Sequence, residues 1–568
     1  MASQVLGTFV VVSCAFSVAF AQTEVEQDKD LIKEVAVAAE ATQEVSTQNV
    51  LDVIPDATGS HAVRPECDPH RLEDAVFKKK LSTPEYFKVV KQYFAKCQYE
   101  LAEQKGMGAL IRSARYTYPF FQHPQIRKFP VKLDDGTVVP GILALKQDPR
   151  PRPLVIVRCG VFCSAVQTSS NKNYMMHLFD QSPFNVLFIA NQTGMDYLAA
   201  NGQVSMGGWS EGYETLLVGK WMREKWEHRD RISSIHMMGI SLGGNAAVFG
   251  ASYNDRFPLA DGSKVFNSVT AICPVISLKP TLDKLYNSQL VGRVFAKETK
   301  DHFAGARQYL RDVPDLLAPE LIPTSRADMP EFIGTLPSTS LQRRGIASTT
   351  ESFFKSNNFW NLKDPVKTPL LVWASKDDSV VNNDINARVL ENDDTYKKVP
   401  TTAVLNLTYG DHCGFSAAYG FQAAAAVLRT YVLNHSPEFV DSYVANEMPW
   451  KFGSPKLGAS YQHAGQSFEF SSGSSQIRVK FKLFDTRGGR DCDAGNIESS
   501  PMYCFVTKDY TVSVDSLKSI GARIPRNSVE AQALTREFNT KVEFKSKGKA
   551  LNGTRGSDIT LVWRSLFE

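Results

Sequence analysis

The chain has 568 residues, 43% of them hydrophobic and 22% charged, enough for a core domain of roughly 300 residues with appendages. Its formal net charge is +4, and residues 22–57, with nine acidic side chains against two lysines, carry −7 of their own. The remainder is mildly basic without a dense Lys/Arg cluster interleaved with aromatics, which excludes nucleic-acid binding as an expectation and leaves a solvated mixed surface.

Residues 5–21 are almost wholly apolar and end Ala19-Phe20-Ala21-Gln22. This reads as a signal peptide over 1–21, cut after Ala21, and predicts a secreted or periplasmic protein, although no Lys or Arg opens the segment. A lipoprotein-type cut before Cys14 leaves too short an apolar run ahead of it, and the segment is short for a membrane span. Residues 22–65 are rich in Glu, Ala, Val, Gln and Thr and hold no Phe, Trp or Tyr, so they are expected to form a disordered acidic leader. Over 66–128 the pattern is helical: Ser82-Thr83-Pro84-Glu85 is a start signal, and Tyr86, Val89, Val90, Tyr93 and Phe94 follow at helix spacing. This segment is expected to pack as an extra N-terminal helical layer.

Strand signals begin at Phe129. Val131-Lys132-Leu133 and Val138-Val139 flank Asp134-Asp135-Gly136 as a hairpin would. A continuous apolar run at 153–157 is followed by further strand-like segments at 185–189, 234–238, 268–273, 369–373 and 403–407, with helix-length segments between and after the first of them. That rhythm predicts a mostly parallel sheet with helices on both faces, filling a catalytic domain over 129–440. The stretch 278–366 breaks the rhythm and reads as a helical lid insertion. Of its aromatic group, Phe353, Phe354, Phe359 and Trp360, most are expected in the lid's own core and one or two in a pocket.

The chemistry centres on Gly239-Ile240-Ser241-Leu242-Gly243, at the end of a short apolar strand and the start of a small-residue helix. A serine on such a turn is lifted clear of the sheet, and glycines two residues to either side let strand and helix approach. Ser241 is the candidate nucleophile. A base and an orienting acid are needed downstream, each on a turn after a strand. His412 is the candidate base, because His435 sits at a helix end and His463 in a linker. Asp377 and Asp378 compete for the acid, and Val380 and Val381, two and three positions beyond, favour Asp378. The oxyanion donors are expected to be the N–H of Leu242 and, from Arg158-Cys159-Gly160-Val161-Phe162, the N–H of Val161.

After a linker at 441–466, alternating strands with Gly/Ser/Asn turns over 467–568 predict a C-terminal antiparallel β-sandwich-like domain. With Cys14 removed, Cys67, Cys97, Cys159, Cys163, Cys273, Cys413, Cys492 and Cys504 remain, an even set that favours disulfides in an exported chain. None has the spacing of a metal site. Cys413 follows the candidate base and is expected to bridge Cys159 or Cys163, with three buried thiols as the competing reading.

The elbow Gly239-Ile240-Ser241-Leu242-Gly243-Gly244-Asn245, the Asp377-Asp378 turn and Gly410-Asp411-His412-Cys413-Gly414-Phe415 together resemble the α/β-hydrolase superfamily, and within it the YheT-like esterase branch. The resemblance covers residues 129–433. It implies an α/β-hydrolase fold and a cofactor-free serine hydrolase acting on carboxylic esters of small-molecule or lipid-like substrates, with a lid between the sixth and seventh strands. Two positions depart from it: Cys159 stands where a His is usual, and no Pro follows Asp378. Other readings are a catalytically inert hydrolase-fold binding protein, anchored to an envelope or glycan partner through its C-terminal domain, and an acyltransferase or peptidase using the same triad.

Overall fold

The computed structural model describes residues 63–437, except 79, 116–124, 147–148, 166–173, 181 and 363, together with the strands Ser460–His463, Gln466–Glu469, Gln476–Phe484 and Phe505–Ser513. The segment expected as a signal peptide, nearly all of that expected as an acidic leader, most of the expected linker, and Cys492 and Cys504 lie outside the described residues. The chain forms two compact units, and the first holds His61–Arg115 and Phe129–Pro449.

In the first unit, helices α1 (Pro69–Phe77), α2 (Thr83–Cys97) and α3 (Met107–Arg115) precede the sheet. Ser82 starts α2 by donating its N–H to Glu85 Oε2 at 2.9 Å, and Pro84 follows, where its missing N–H costs nothing. The helix buries Tyr86, Val90, Tyr93, Phe94 and Cys97, which recur every three to four residues; Phe87 is buried as well, while Val89 is only half-buried. A disulfide from Cys67 to Cys97, with Cα atoms 5.3 Å apart, ties the start of this layer to the end of α2.

Seven strands of an eight-stranded sheet lie in this unit: β1 (Gly141–Ala144), β2 (Arg152–Arg158), β3 (Asn185–Ile189), β4 (Ile232–Ile240), β5 (Ser268–Ile272), β6 (Leu370–Ser375) and β7 (Thr402–Leu407). They are ordered β1-β3-β2-β4-β5-β6-β7, with β1 antiparallel to β3 and every other pair parallel. All residues of β2, β3, β5 and β6 are buried, as a sheet covered on both faces requires. The helices α4 (Met195–Asn201), α5 (Gly208–Glu224) and α6 (Leu242–Arg256) lie between β3 and β5 in sequence. Leu370 and Val372 of β6 share a core with Leu216, Met222 and Phe249 of α5 and α6. Trp373, pointing the other way, meets Phe94 of α2 at 6.3 Å between ring centroids. The order of strands and the two helical layers are those of the α/β-hydrolase fold.

Between β5 and β6 comes the helical insertion: α7 (Leu278–Asn287), α8 (Val291–Ala306), α9 (Met329–Arg343) and α10 (Thr350–Ser356). Its core includes Tyr286, Phe303, Ile333, Phe353 and Phe354 and is continuous with Leu242 and Val381. Phe359 instead belongs to the sheet's own core, with Trp360 packed against it. The closing helix α11 (Phe421–Asn434) stacks on α2, Tyr431 lying 5.4 Å from Tyr86.

In the second unit the described C-terminal strands form two antiparallel pairs, Ser460–His463 with Gln466–Glu469 and Gln476–Phe484 with Phe505–Ser513. Among the described residues these are two separate two-stranded sheets, not the expected sandwich; residues 514–568 of the expected domain lie outside the described residues.

Candidate active site

Ser241 sits between β4 and α6 with φ 57°, a left-handed conformation that a serine holds only where its surroundings enforce it. Its N–H is tied to Ile272 O on β5 at 2.9 Å. A side chain at Gly239 would run into the backbone of Gly243, and one at Gly243 into the carbonyls of Arg158 and Cys159, so both glycines are required by close approach.

His412 Nε2 lies 2.9 Å from Ser241 Oγ, and His412 Nδ1 lies 3.0 Å from Asp378 Oδ2 and 3.2 Å from Oδ1. Asp378 Oδ1 accepts from the N–H groups of Val380 and Val381 at 2.9 and 2.7 Å. Asp377 turns away: its two oxygens accept from the N–H groups of Asp411 (2.9 Å) and Gly106 (3.0 Å), clamping the acid turn to the histidine turn and to the start of α3. Burial works to lower the His412 pKa, but the charge and hydrogen bond of Asp378, with the charge of Asp411, outweigh it and the net shift is upward.

Asp411 is fully buried, and burial raises its pKa against the hydrogen bonds from Ser379. Its Oδ1 accepts from Ser379 N–H at 2.9 Å and Ser379 Oγ at 2.6 Å, while Oδ2 has no partner among the described residues.

The amides of Leu242 and Val161 have no acceptor among the described residues. The first is the opening residue of α6, whose N-terminus favours negative charge beside Ser241. The second follows Gly160, whose Cα is so placed that a side chain would contact Ser241 Cβ at 3.2 Å. Phe162, at φ 59°, donates its N–H to Thr193 Oγ1 at 2.7 Å. Thr193 in turn donates to Asn191 Oδ1 through its N–H (2.9 Å) and its hydroxyl (2.5 Å), so the loop is held from β3.

The expected bridge from Cys413 to Cys159 or Cys163 is corrected. Cys413 pairs with Cys273 (Cα atoms 5.4 Å apart), and Cys159 pairs with Cys163 (5.9 Å) inside the loop that carries Val161. The physical reason is where the histidine turn lies. It folds back over the end of β6, where Ser375 Oγ donates to Asp411 O at 2.6 Å. Cys273, at the end of β5, is joined to that same strand by its N–H to Trp373 O. Cys273, Cys413 and His412 bring ligand atoms within 4.8 Å of one another, but the two sulfurs are spent on each other and offer no thiolate to a metal.

A cavity of about 50 Å³ opens at Ser241, with Val161 and Leu242 on one side and α7, α8 and α9 on the other. None of Phe353, Phe354, Phe359 and Trp360 lines it; Tyr286 of α7 and Phe295 of α8 are the insertion's aromatics there among the described residues, a second correction to the sequence reading. Phe353, Phe354 and Phe359 are turned into cores, where burial of their rings is favourable, and Trp360, partly buried, packs against the sheet's core. Asp411, Ser379 and Thr193 were not singled out from the sequence. The only signal for them was position, on turns after strands at the edge of the sheet that carries Ser241.

No family model and no curated protein sequence matches the chain. Similar solved structures include an esterase of Pyrococcus furiosus (14% identity over 55% of this chain and 92% of that one, TM-score 0.33). Others are an esterase of Pyrobaculum calidifontis (14%, 66% and 98%, 0.33) and a Legionella pneumophila protein described as a hydrolase (12%, 56% and 89%, 0.37). Nothing about the site follows from them.

Proposed function

We propose that this chain is an exported serine hydrolase that cleaves carboxylic esters through an acyl-enzyme. The observation that carries the reading is the relay from Asp378 through His412 to Ser241, at 3.0 and 2.9 Å, beside two backbone amides without acceptors among the described residues. Ser241 Oγ attacks the ester carbonyl while His412 Nε2 takes its proton. Asp378 holds His412 Nδ1–H and steadies the imidazolium, and the amides of Leu242 and Val161 receive the negative oxygen. Collapse expels the alcohol, which leaves with the proton from His412. Water then attacks the acyl-enzyme by the same route and releases the acid. Every group in the cycle is an amino-acid side chain or backbone amide.

Placement in the YheT-like branch rests on the elbow, acid-turn and histidine-turn motifs, and export rests on the apolar segment ending at Ala21 together with the even set of remaining cysteines. The test is labelling of the full chain with a fluorophosphonate probe. Covalent labelling that disappears in Ser241→Ala, with ester hydrolysis falling about a thousandfold or more, supports the reading. Undiminished hydrolysis of a short aryl ester by Ser241→Ala sinks it.

A further inference from the structure

Resting on that reading, we infer that the cavity beside Ser241 is the acyl subsite and that it selects esters of short, uncharged acyl groups, about two to five carbons long.

The first argument is position. The cavity touches the nucleophile and both residues whose amides face the oxyanion, so an acyl group whose carbonyl lies between those amides and Ser241 has the cavity directly beside its chain. Its far wall is the insertion, through Leu282 and Leu285 of α7, Phe295 of α8 and Ile333 of α9.

The second argument is chemistry. Apart from Ser241, the polar side chains lining the cavity are Thr281 and Tyr286. Both are already committed: Thr281 Oγ1 donates to Ser277 O at 2.7 Å, and Tyr286 OH shares a 2.6 Å hydrogen bond with Thr299 Oγ1. Among the described residues no charged side chain lines the space. A carboxylate or ammonium on the acyl chain would lose its water and find no partner, which disfavours such substrates by about a hundredfold or more.

The third argument is size. One water molecule needs about 10–15 Å³ of cavity, so about 50 Å³ accommodates a handful of heavy atoms and not a long chain. Leu285 and Ile333 are 6% and 2% exposed and belong to a packed core, so the wall does not yield without repacking. The insertion thereby acts as a ruler for the acyl chain.

The test measures kcat/KM of the full chain on p-nitrophenyl esters from acetate to dodecanoate, and on a hemisuccinate ester. Expected is a maximum at or below pentanoate, a fall of about tenfold or more by decanoate, and near-inactivity on the hemisuccinate. Phe295→Ala and Ile333→Ala enlarge the wall and should each raise the decanoate-to-butyrate ratio by about tenfold. Leu282→Trp, at a half-buried position that tolerates change, should lower the butyrate-to-acetate ratio, so a ruler remains testable if either alanine variant fails to fold. A maximum at octanoate or beyond, or folded variants with an unchanged profile, overturns the inference while Ser241-dependent labelling still stands. Loss of labelling together with inactivity on every ester overturns the hydrolase reading itself.

Discussion

Asp378 faces His412 with both carboxylate oxygens, whereas Asp377 spends both of its own on backbone N–H groups of Asp411 and Gly106. An amide at Asp378 presents its NH₂ or the wrong tautomer to His412; an amide at Asp377 keeps one oxygen for one of its two contacts. Asp378→Asn should therefore lose about a thousandfold or more in kcat, and Asp377→Asn far less, a ranking that initial rates on one aryl ester read directly. The pH profile gives a second readout. A general base works as the neutral imidazole, and the His412 pKa is raised above its ordinary 6.5, chiefly by Asp378 overcoming burial. The acid limb of kcat/KM should inflect above pH 6.5 in the parent and move downward in Asp378→Asn. An inflection that stays in place would remove Asp378 from its proposed role. The candidate site was legible at this scale because strand, turn and side-chain type recur together at Ser241, Asp378 and His412. The supporting contacts of Asp411, Ser379 and Thr193 were not, since a polar residue on a turn carries no mark of what it will face.

At the scale of elements, β2, β3, β5 and β6 were legible as short, mostly apolar segments without strict alternation, because parallel strands buried on both faces need none. The insertion was legible as an interruption, but not the partners of its aromatics: Phe353 and Phe354 enter its own core and Phe359 the sheet's, a choice made by tertiary packing. Cysteine pairing was misread for a similar reason, since the histidine turn's fold back across β6 has no local signature. The three disulfides among the described residues should differ in what their removal does. Cys273–Cys413 spans 140 residues of chain and sits next to His412, so Cys273→Ala with Cys413→Ala should lower both Tm and kcat, the latter by loosening the imidazole. Cys67–Cys97 spans 30 residues away from the triad, and its removal should lower Tm and leave kcat nearly intact. Cys159–Cys163 spans only 4 residues and restrains little of the unfolded chain, so its removal should act on kcat through the Val161 loop more than on Tm. Thermal melts and steady-state kinetics on the three paired variants check this, and equal kinetic losses in all three would contradict it.

For the whole molecule, the division into a large unit and a C-terminal remainder was legible from the change in strand pattern after residue 433, and the N-terminal helices were legible as a layer from the spacing of Tyr86, Val90, Tyr93 and Phe94. What composition could not show is the set of ionisable groups enclosed by the first unit, because enclosure is a property of the finished packing. Burial lowers His177 to about 3 and His302 and His435 to about 4, and depresses His236 as well. It also lifts Glu211 to about 8, Glu298 to about 7 and Asp196 to about 6. The signs follow from linkage. A histidine depressed on folding makes stability rise with pH up to its unfolded value near 6.5, whereas a raised carboxyl stabilises at low pH and loses that contribution as pH climbs through its folded value. Between pH 4.5 and 6.5 the two sets oppose each other. Above 6.5 the histidine contributions are complete, and the raised groups, Glu211 with Glu298 and His412, all act in one direction. Stability should therefore peak near pH 6 and fall toward pH 8.5, at about 1.4 kcal/mol for each pH unit over which one such group is protonated folded and deprotonated unfolded. Glu211 is the group to test. It is fully buried, accepts from Asn191 Nδ2 at 2.8 Å, and through Asn191 reaches Thr193 and the loop that carries Val161. Glu211→Gln replaces a carboxyl held neutral by a neutral isostere, so its urea midpoint should decline less between pH 6.5 and 8.5 than the parent's; equal declines would show that Glu211 does not titrate in that window.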